Sequence, residues 1–225
     1  MTWPEGAAPV VMNPVTEESF RILRSRIDLS PLPKFSRDVT ERVINASADF
    51  DYFTDLVCDE ESLAEAVAAL AAGAPVVADS AMVAAGITGS PVLCKVAEAL
   101  TQRLSRTASI SRAAAAVRLA FGETGPGAVW VAGGSPDGLA EILSRGVEPA
   151  FVIGMPVGFA GAAEAKDALR ASGLKSVSNV SEKGGPAVAV AAFNALLSSA
   201  LTVPGSRAGW GPEGQATMSD DEGTV

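Results

Sequence analysis

Asn45 lies in the run Arg42-Val43-Ile44-Asn45-Ala46-Ser47-Ala48-Asp49, where an amide interrupts a mostly apolar pattern. An amide donates N–H and accepts at its oxygen, but it has no titratable proton to give. The 225 residues include no histidine. That excludes a Ser-His-Asp set, a Cys-His pair and a histidine metal site, and no spacing of Asp and Glu marks a catalytic carboxylate pair. Chemistry must therefore rest on amides, hydroxyls, carboxylates, cations and backbone N–H groups. Three glycine-containing loops offer these. "VVADSAMVAAGITG" carries Asp79 and Ser80, "VIGMPVGFAGAAEAK" carries Gly154, Gly158 and Gly161, and "NVSEKGGPAVA" sets Lys183 before Gly184 and Gly185. None has the Gly-Lys-Ser/Thr of a phosphate loop or the spacing of a dinucleotide fingerprint. Singly, each reads as a plain strand-to-helix turn; together they line a pocket rich in backbone donors, suited to a large, flat, multiply charged ligand. Asp79 reads equally as a cap of the turn that follows it. Ser19 reads as a helix-surface hydroxyl and Arg112 as a solvated charge.

The elements that must carry these residues alternate. Pro14 followed by "VTEESFRILRSRID" spaces Phe20, Ile22, Leu23 and Ile27 helically, with Glu17 and Glu18 in the first turn. "SRDVTERVINAS" gives a second helix, with Ser36 as candidate N-cap and an end near Ser47, so Asn45 falls in its last turn. "DLVC" is a short strand, and "DEESLAEAVAALAAG" is a helix with an acidic start and Gly73 as stop. Further strands are expected at "PVVAD", "PVLCKV", "GAVWVAG", "AFVIG" and "KSVSNV", separated by helical segments such as 113–121 and 162–171. The apolar run 185–201 is expected to be a buried helix. Such alternation favours an α/β fold with helices on both faces of a mainly parallel sheet. Ligands of open sheets of this kind gather at the carboxyl ends of the strands.

Size and charge narrow the function. The length suits one sizeable domain: an extension over 1–13, a domain over 14–203 and a mobile acidic tail over 204–225. The tail contributes −3 to the net charge of −9, leaving −6 for the rest, which argues against a nucleic-acid surface. The apolar runs are broken before the roughly 18 residues that a membrane span needs, and no basic leader precedes an apolar core. Cys58 and Cys94 stand far apart and read as reduced thiols of a cytoplasmic protein.

"DSAMVAAGIT" (79–88), "IGMPVGFAGAAEAKDAL" (153–169) and "SEKGGPAVAVAAFNALL" (181–197), with "EESFRILRSRID" and "ERVINASADFDY", resemble the precorrin-8X methylmutases of cobalamin biosynthesis. The resemblance runs from about Pro14 to Leu201. It implies a single three-layer α/β/α domain with a mainly parallel sheet, usually a homodimer, that binds a corrin precursor bearing many carboxylates. The reaction it implies is an isomerisation: a methyl group moves from ring carbon C-11 to C-12, yielding hydrogenobyrinate, or cobyrinate in the cobalt branch. No metal or organic cofactor is implied, because the conjugated substrate carries the electronic rearrangement.

By the same resemblance, Asn45 stands where the family keeps a histidine that donates a proton to the macrocycle. Ser19 and Arg112 become pocket residues making polar contacts. Asp79, Ser80, Met82, Val83, Gly86 and Thr88 are implied as substrate-binding, as are Met155, Pro156, Val157 and Gly158. Lys183 with the Gly184 and Gly185 amides is implied to hold a carboxylate. "GITGSP" lacks the family's Arg after Ile-Thr, and "AGGSPDGL" replaces a Gly-Asn-Ala-Pro-Thr type loop. An amide in place of the imidazole leaves three readings open: a methylmutase, a non-catalytic tetrapyrrole-binding protein, and a diverged enzyme of another natural-product pathway.

Overall fold

The computed structural model describes residues 14–208. It begins with α1 (Pro14–Arg26), α2 (Lys34–Ser47), the single turn α3 (Tyr52–Asp55) and β1 (Leu56–Cys58). Then come α4 (Glu60–Ala71), β2 (Val76–Ala78), α5 (Ala81–Gly86), α6 (Ala99–Ala108), α7 (Arg112–Thr124) and β3 (Val129–Ala132). The chain closes with α8 (Pro136–Arg145), β4 (Phe151–Gly154), α9 (Ala162–Ala171), β5 (Ser176–Asn179) and α10 (Pro186–Leu201).

The five strands are ordered β1-β5-β4-β3-β2, parallel from β2 to β5, with β1 antiparallel at the edge. Period-two alternation divides the strand residues between two apolar layers. Val76, Ala78, Val129, Val131, Phe151, Ile153 and Val177 face α2, α4 and α10. Val77, Trp130, Ala132 and Val152 face α7, α8 and α9. Because both faces are covered, the parallel strands are buried along their length, and all four residues of β3 and of β4 are enclosed. This is the expected three-layer fold.

Three local expectations fail for identifiable reasons. "PVLCKV" forms no strand: only Leu93 bridges to Val77, with Leu93 N donating to Val76 O and Ala78 N to Leu93 O, both at 2.9 Å. Pro91 has no N–H to extend that ladder. Ser36 is not a cap: α2 starts two residues earlier, after extended Pro33, and Ser36 is buried inside it. Residues 205–208, read with the tail, pack on α4, where Arg207 N donates to Ala71 O at 2.6 Å and Ala208 is buried. The extension over 1–13 and the remainder of the acidic tail lie outside the described residues.

The capping that Ser36 does not provide comes from Glu60, the first residue of α4. Its carboxylate accepts from Phe35 N (2.8 Å), Ser36 N (2.9 Å) and Ser36 Oγ (2.7 Å), closing the free N–H groups that open α2. Burial raises this carboxyl, but the donors outweigh it and hold it below the usual range. A depressed carboxyl stabilises the fold above its unfolded pKa, and that contribution is lost as pH falls through its folded pKa. Glu60→Ala should therefore lower the unfolding free energy by about 1 kcal/mol near neutrality. Urea denaturation should show the difference from the unchanged chain shrinking below about pH 4.

Candidate functional site

At the carboxyl ends of β4 and β5, two loops are laced together. Gly185 N donates to Met155 O at 2.7 Å, and Gly158 N to Glu182 O at 3.1 Å. A Cβ on Gly184 would lie 2.5 Å from the Met155 carbonyl oxygen, and its φ is +141°, so only glycine fits. This contact sets where α10 begins.

The same loop is held from below by Lys166, whose side chain is fully enclosed on the inner face of α9. Its Nζ donates to Asn179 Oδ1 at 3.1 Å, to Lys183 O at 2.7 Å and to Ser181 O. Asn179 Nδ2 in turn donates to Asp55 Oδ2 at 2.9 Å and to Lys183 O at 2.9 Å. Asp55 also accepts from Ser181 N at 2.7 Å and Ser181 Oγ at 2.8 Å. Burial pushes the Lys166 ammonium down to about 8, against the pull of Asp55. Burial pushes Asp55 up, but the Asn179 and Ser181 donors bring it below the usual carboxylate range.

From this loop Lys183 reaches back to the turn after α2, with Nζ 2.6 Å from Asp49 Oδ2 and 2.7 Å from Asp51 Oδ2. The hydrogen bonds to Asp49 and Asp51 raise the Lys183 pKa, so it stays charged. One turn before Asp49, on the last turn of α2, stands Asn45. Ser19 of α1 donates its hydroxyl to Asn45 Oδ1 at 2.5 Å. That bond turns the amide, leaving Nδ2 without a hydrogen-bond partner among the described residues. Tyr52 is buried beside this corner, and burial with the nearby Asp55 and Asp49 pushes its phenol up to about 12, so it stays protonated at neutral pH. The Asn45 amide and the Tyr52 phenol are thus both neutral at neutral pH. Among the described residues no cluster of three Cys, Asp or Glu side chains could hold a metal ion.

A family model described as precorrin-8X methylmutase matches residues 14–199, nearly the whole described chain. The chain belongs to the precorrin-8X methylmutase family. It is 36% identical over 196 residues to a precorrin-8X methylmutase from a Sinorhizobium species, covering 82% of this chain and 93% of that protein. It is 34% identical to a cobalt-precorrin-8 methylmutase of Salmonella typhimurium over 166 residues, 71% of this chain and 79% of that one. The crystal structure of a precorrin-8X methyl mutase from Thermus thermophilus superposes with a TM-score of 0.73 at 32% identity, covering 84% of this chain and 98% of that chain.

The residues expected at a methylmutase site do not all converge. Ser19 and Asn45 meet. Arg112 opens α7 and is exposed on the opposite layer, away from that pair. Asp79 does not cap the next turn: it is 3% exposed, and its Oδ2 accepts from Gly134 N at 2.7 Å and Ser135 N at 3.2 Å. Burial raises its carboxyl in spite of these donors. Asp79 thus pins the loop after β3, and Ser80 caps α5 by accepting from Val83 N. Val83 and Met155 are enclosed in the core and Pro156 is buried, so none of the three offers its side chain to a ligand. A Cβ on Gly86 would lie 2.9 Å from both γ-carbons of Val190, so this glycine serves the packing of α5 on α10. Met82, Thr88 and Val157 are exposed, and Gly158 is partly so. Of the expected carboxylate contact, Lys183 is already matched by two carboxylates and Gly185 N by Met155 O.

The residues that sequence reasoning missed are Lys166, Asn179, Asp55 and Tyr52. A signal for Lys166 existed: Ala162, Ala165 and Leu169 are its helical neighbours and are all buried, so it lies on an apolar stripe. Lys166→Met removes the ammonium from Asn179 Oδ1 and leaves the Ser181 and Lys183 carbonyls only the Asn179 amide as donor, which should cost about 3 kcal/mol. Since the folded pKa lies below the ordinary 10.5, the unfolded chain binds more protons between about pH 8 and 10.5. Denaturation at stepped pH should therefore show the unchanged chain gaining stability relative to Lys166→Met across that window.

Proposed function

We propose that this chain binds precorrin-8X, or its cobalt counterpart, and isomerises it by moving the methyl group from C-11 to C-12. Family membership supports the reaction. The observation that carries the site is the Ser19 to Asn45 bond, which joins two helices and orients an amide donor that has no partner among the described residues. The isomerisation leaves the atom count unchanged and proceeds within the substrate's conjugated system, so the protein has to hold the ring and bias its charge. Asn45 Nδ2 holds a ring acceptor by a hydrogen bond but supplies no titratable proton, where the family's histidine would supply one.

A homodimer fits the exposed apolar side chains at the same rim. Phe159 is 99% exposed and Met82 68%, on the loop after β4 and on α5. A second copy would cover them. No helix among the described residues is long and apolar enough to cross a membrane. With two free thiols, Cys58 and Cys94, the chain suits the cytoplasm.

The test is to incubate the purified protein and Asn45→His with precorrin-8X and follow the absorption spectrum across pH 5 to 8. The unchanged chain should bind, and its turnover should show no ionisation near ~6.5. Asn45→His should turn over faster, about 10-fold or more, and acquire that ionisation. Binding without turnover until histidine is restored would mark a tetrapyrrole-binding protein. Absence of binding by both proteins would sink the corrin reading.

A further inference from the structure

Arg42 precedes Asn45 by three residues, so the two share the outward face of α2, about 4.5 Å apart along its axis. Glu41 and Asp38 lie on that face as well. Beside it α1, α2 and the second half of α10 line an open cleft of about 360 Å³, whose lining includes Phe20, Arg24, Lys34, Arg42, Ser198 and Ser199. The Ser19 to Asn45 bond and the Arg24 to Glu41 ion pair, at 2.5 Å, are successive rungs of one α1–α2 seam. The cleft thus lies beside the same seam, with Arg42 of its lining one turn of α2 before Asn45.

Its charges are not all matched. Arg24 pairs with Glu41, and Lys34 with Asp38 at 3.1 Å. Arg42 has no carboxylate partner among the described residues; its Nη2 donates to Ser198 Oγ at 3.0 Å, which holds the guanidinium against α10. Most of its five N–H donors remain available. Three cations against two acids leave the cleft one positive charge in a chain whose net charge is −9. A fixed, unmatched guanidinium is the group that recognises a carboxylate with geometric specificity. The cleft is at the small end of the roughly 300 to 1,000 Å³ usual for ligand pockets. It has room for a side arm rather than a macrocycle.

We propose that the cleft between α1, α2 and α10 is a subsite for one carboxylate arm of the ligand, bound by Arg42 with the Ser198 hydroxyl while the ring lies against Asn45. This rests on the corrin-binding function above and assigns the contact that the paired Lys183 does not supply. The carboxylates of Glu41 and Asp38 remain with their own cations and repel a second acid arm.

Absorption titration with precorrin-8X at low and high salt, on the unchanged chain, Arg42→Gln and Arg42→Lys, tests the assignment. Arg42→Gln should raise Kd about 10-fold or more and flatten its salt dependence, and Arg42→Lys should recover part of the loss. Melting temperatures of the three proteins separate this from a general loss of fold. If Arg42→Gln does not fold, Ser198→Ala, which frees the guanidinium, should raise Kd by a smaller factor at unchanged melting temperature. Equal Kd and equal salt dependence for the unchanged chain and the folded variant would overturn the subsite alone. Failure of the unchanged chain to bind would overturn the corrin-binding function and the subsite with it.

Discussion

A lysine ammonium with no exposure to water sits beneath the carboxyl end of the sheet, and the geometry of the site depends on how it is compensated. Burying Lys166 costs several kcal/mol unless its donors are met. They are met by the carbonyl oxygens of Ser181 and Lys183 and by the Asn179 amide, with the Asp55 carboxylate one hydrogen bond further on. Two of these acceptors are backbone atoms of one loop, so satisfying the charge fixes the path of that loop. From that path follow the glycine contact with Met155, the start of α10 and the direction in which Lys183 points.

Asn45 is placed from both ends of its helix. Glu60 closes the first turn of α2, and Lys183 grips Asp49 just beyond its last. α1 is bound alongside by Ser19 and Arg24, so the amide is presented by packed helices rather than by a loose loop. Rigid presentation matters for a reaction in which the substrate supplies the electrons and the protein supplies orientation. A hydrogen-bond donor in a fixed position lowers the cost of charge developing on the ring, although it cannot deliver the proton itself.

The fold was largely legible. Short apolar strands alternating with helical segments led to a mainly parallel sheet, and the period-two split of Val129, Trp130 and Val131 between the two layers follows from their order alone. "PVLCKV" misled because apolar content does not reveal that Pro91 interrupts pairing. The site was legible only in part. Ser19 and Asn45 were singled out through the family's motifs, and they do meet. The ion pairs of Lys183 were not legible because its partners Asp49 and Asp51 stand 134 and 132 residues away, and no local pattern announces such a pairing. The bonds of Asp79 were hidden for the same reason, since Gly134 and Ser135 are 55 and 56 residues distant.

The central claim is that the free face of the Asn45 amide is where the ring of the ligand rests. A crystal structure of the protein grown with hydrogenobyrinate tests this most directly. The account predicts the macrocycle against the α1–α2 seam, with a ring acceptor within hydrogen-bond distance of Asn45 Nδ2 and the Ser19 bond to Oδ1 retained. A macrocycle bound elsewhere, with Asn45 Nδ2 facing solvent, would contradict it.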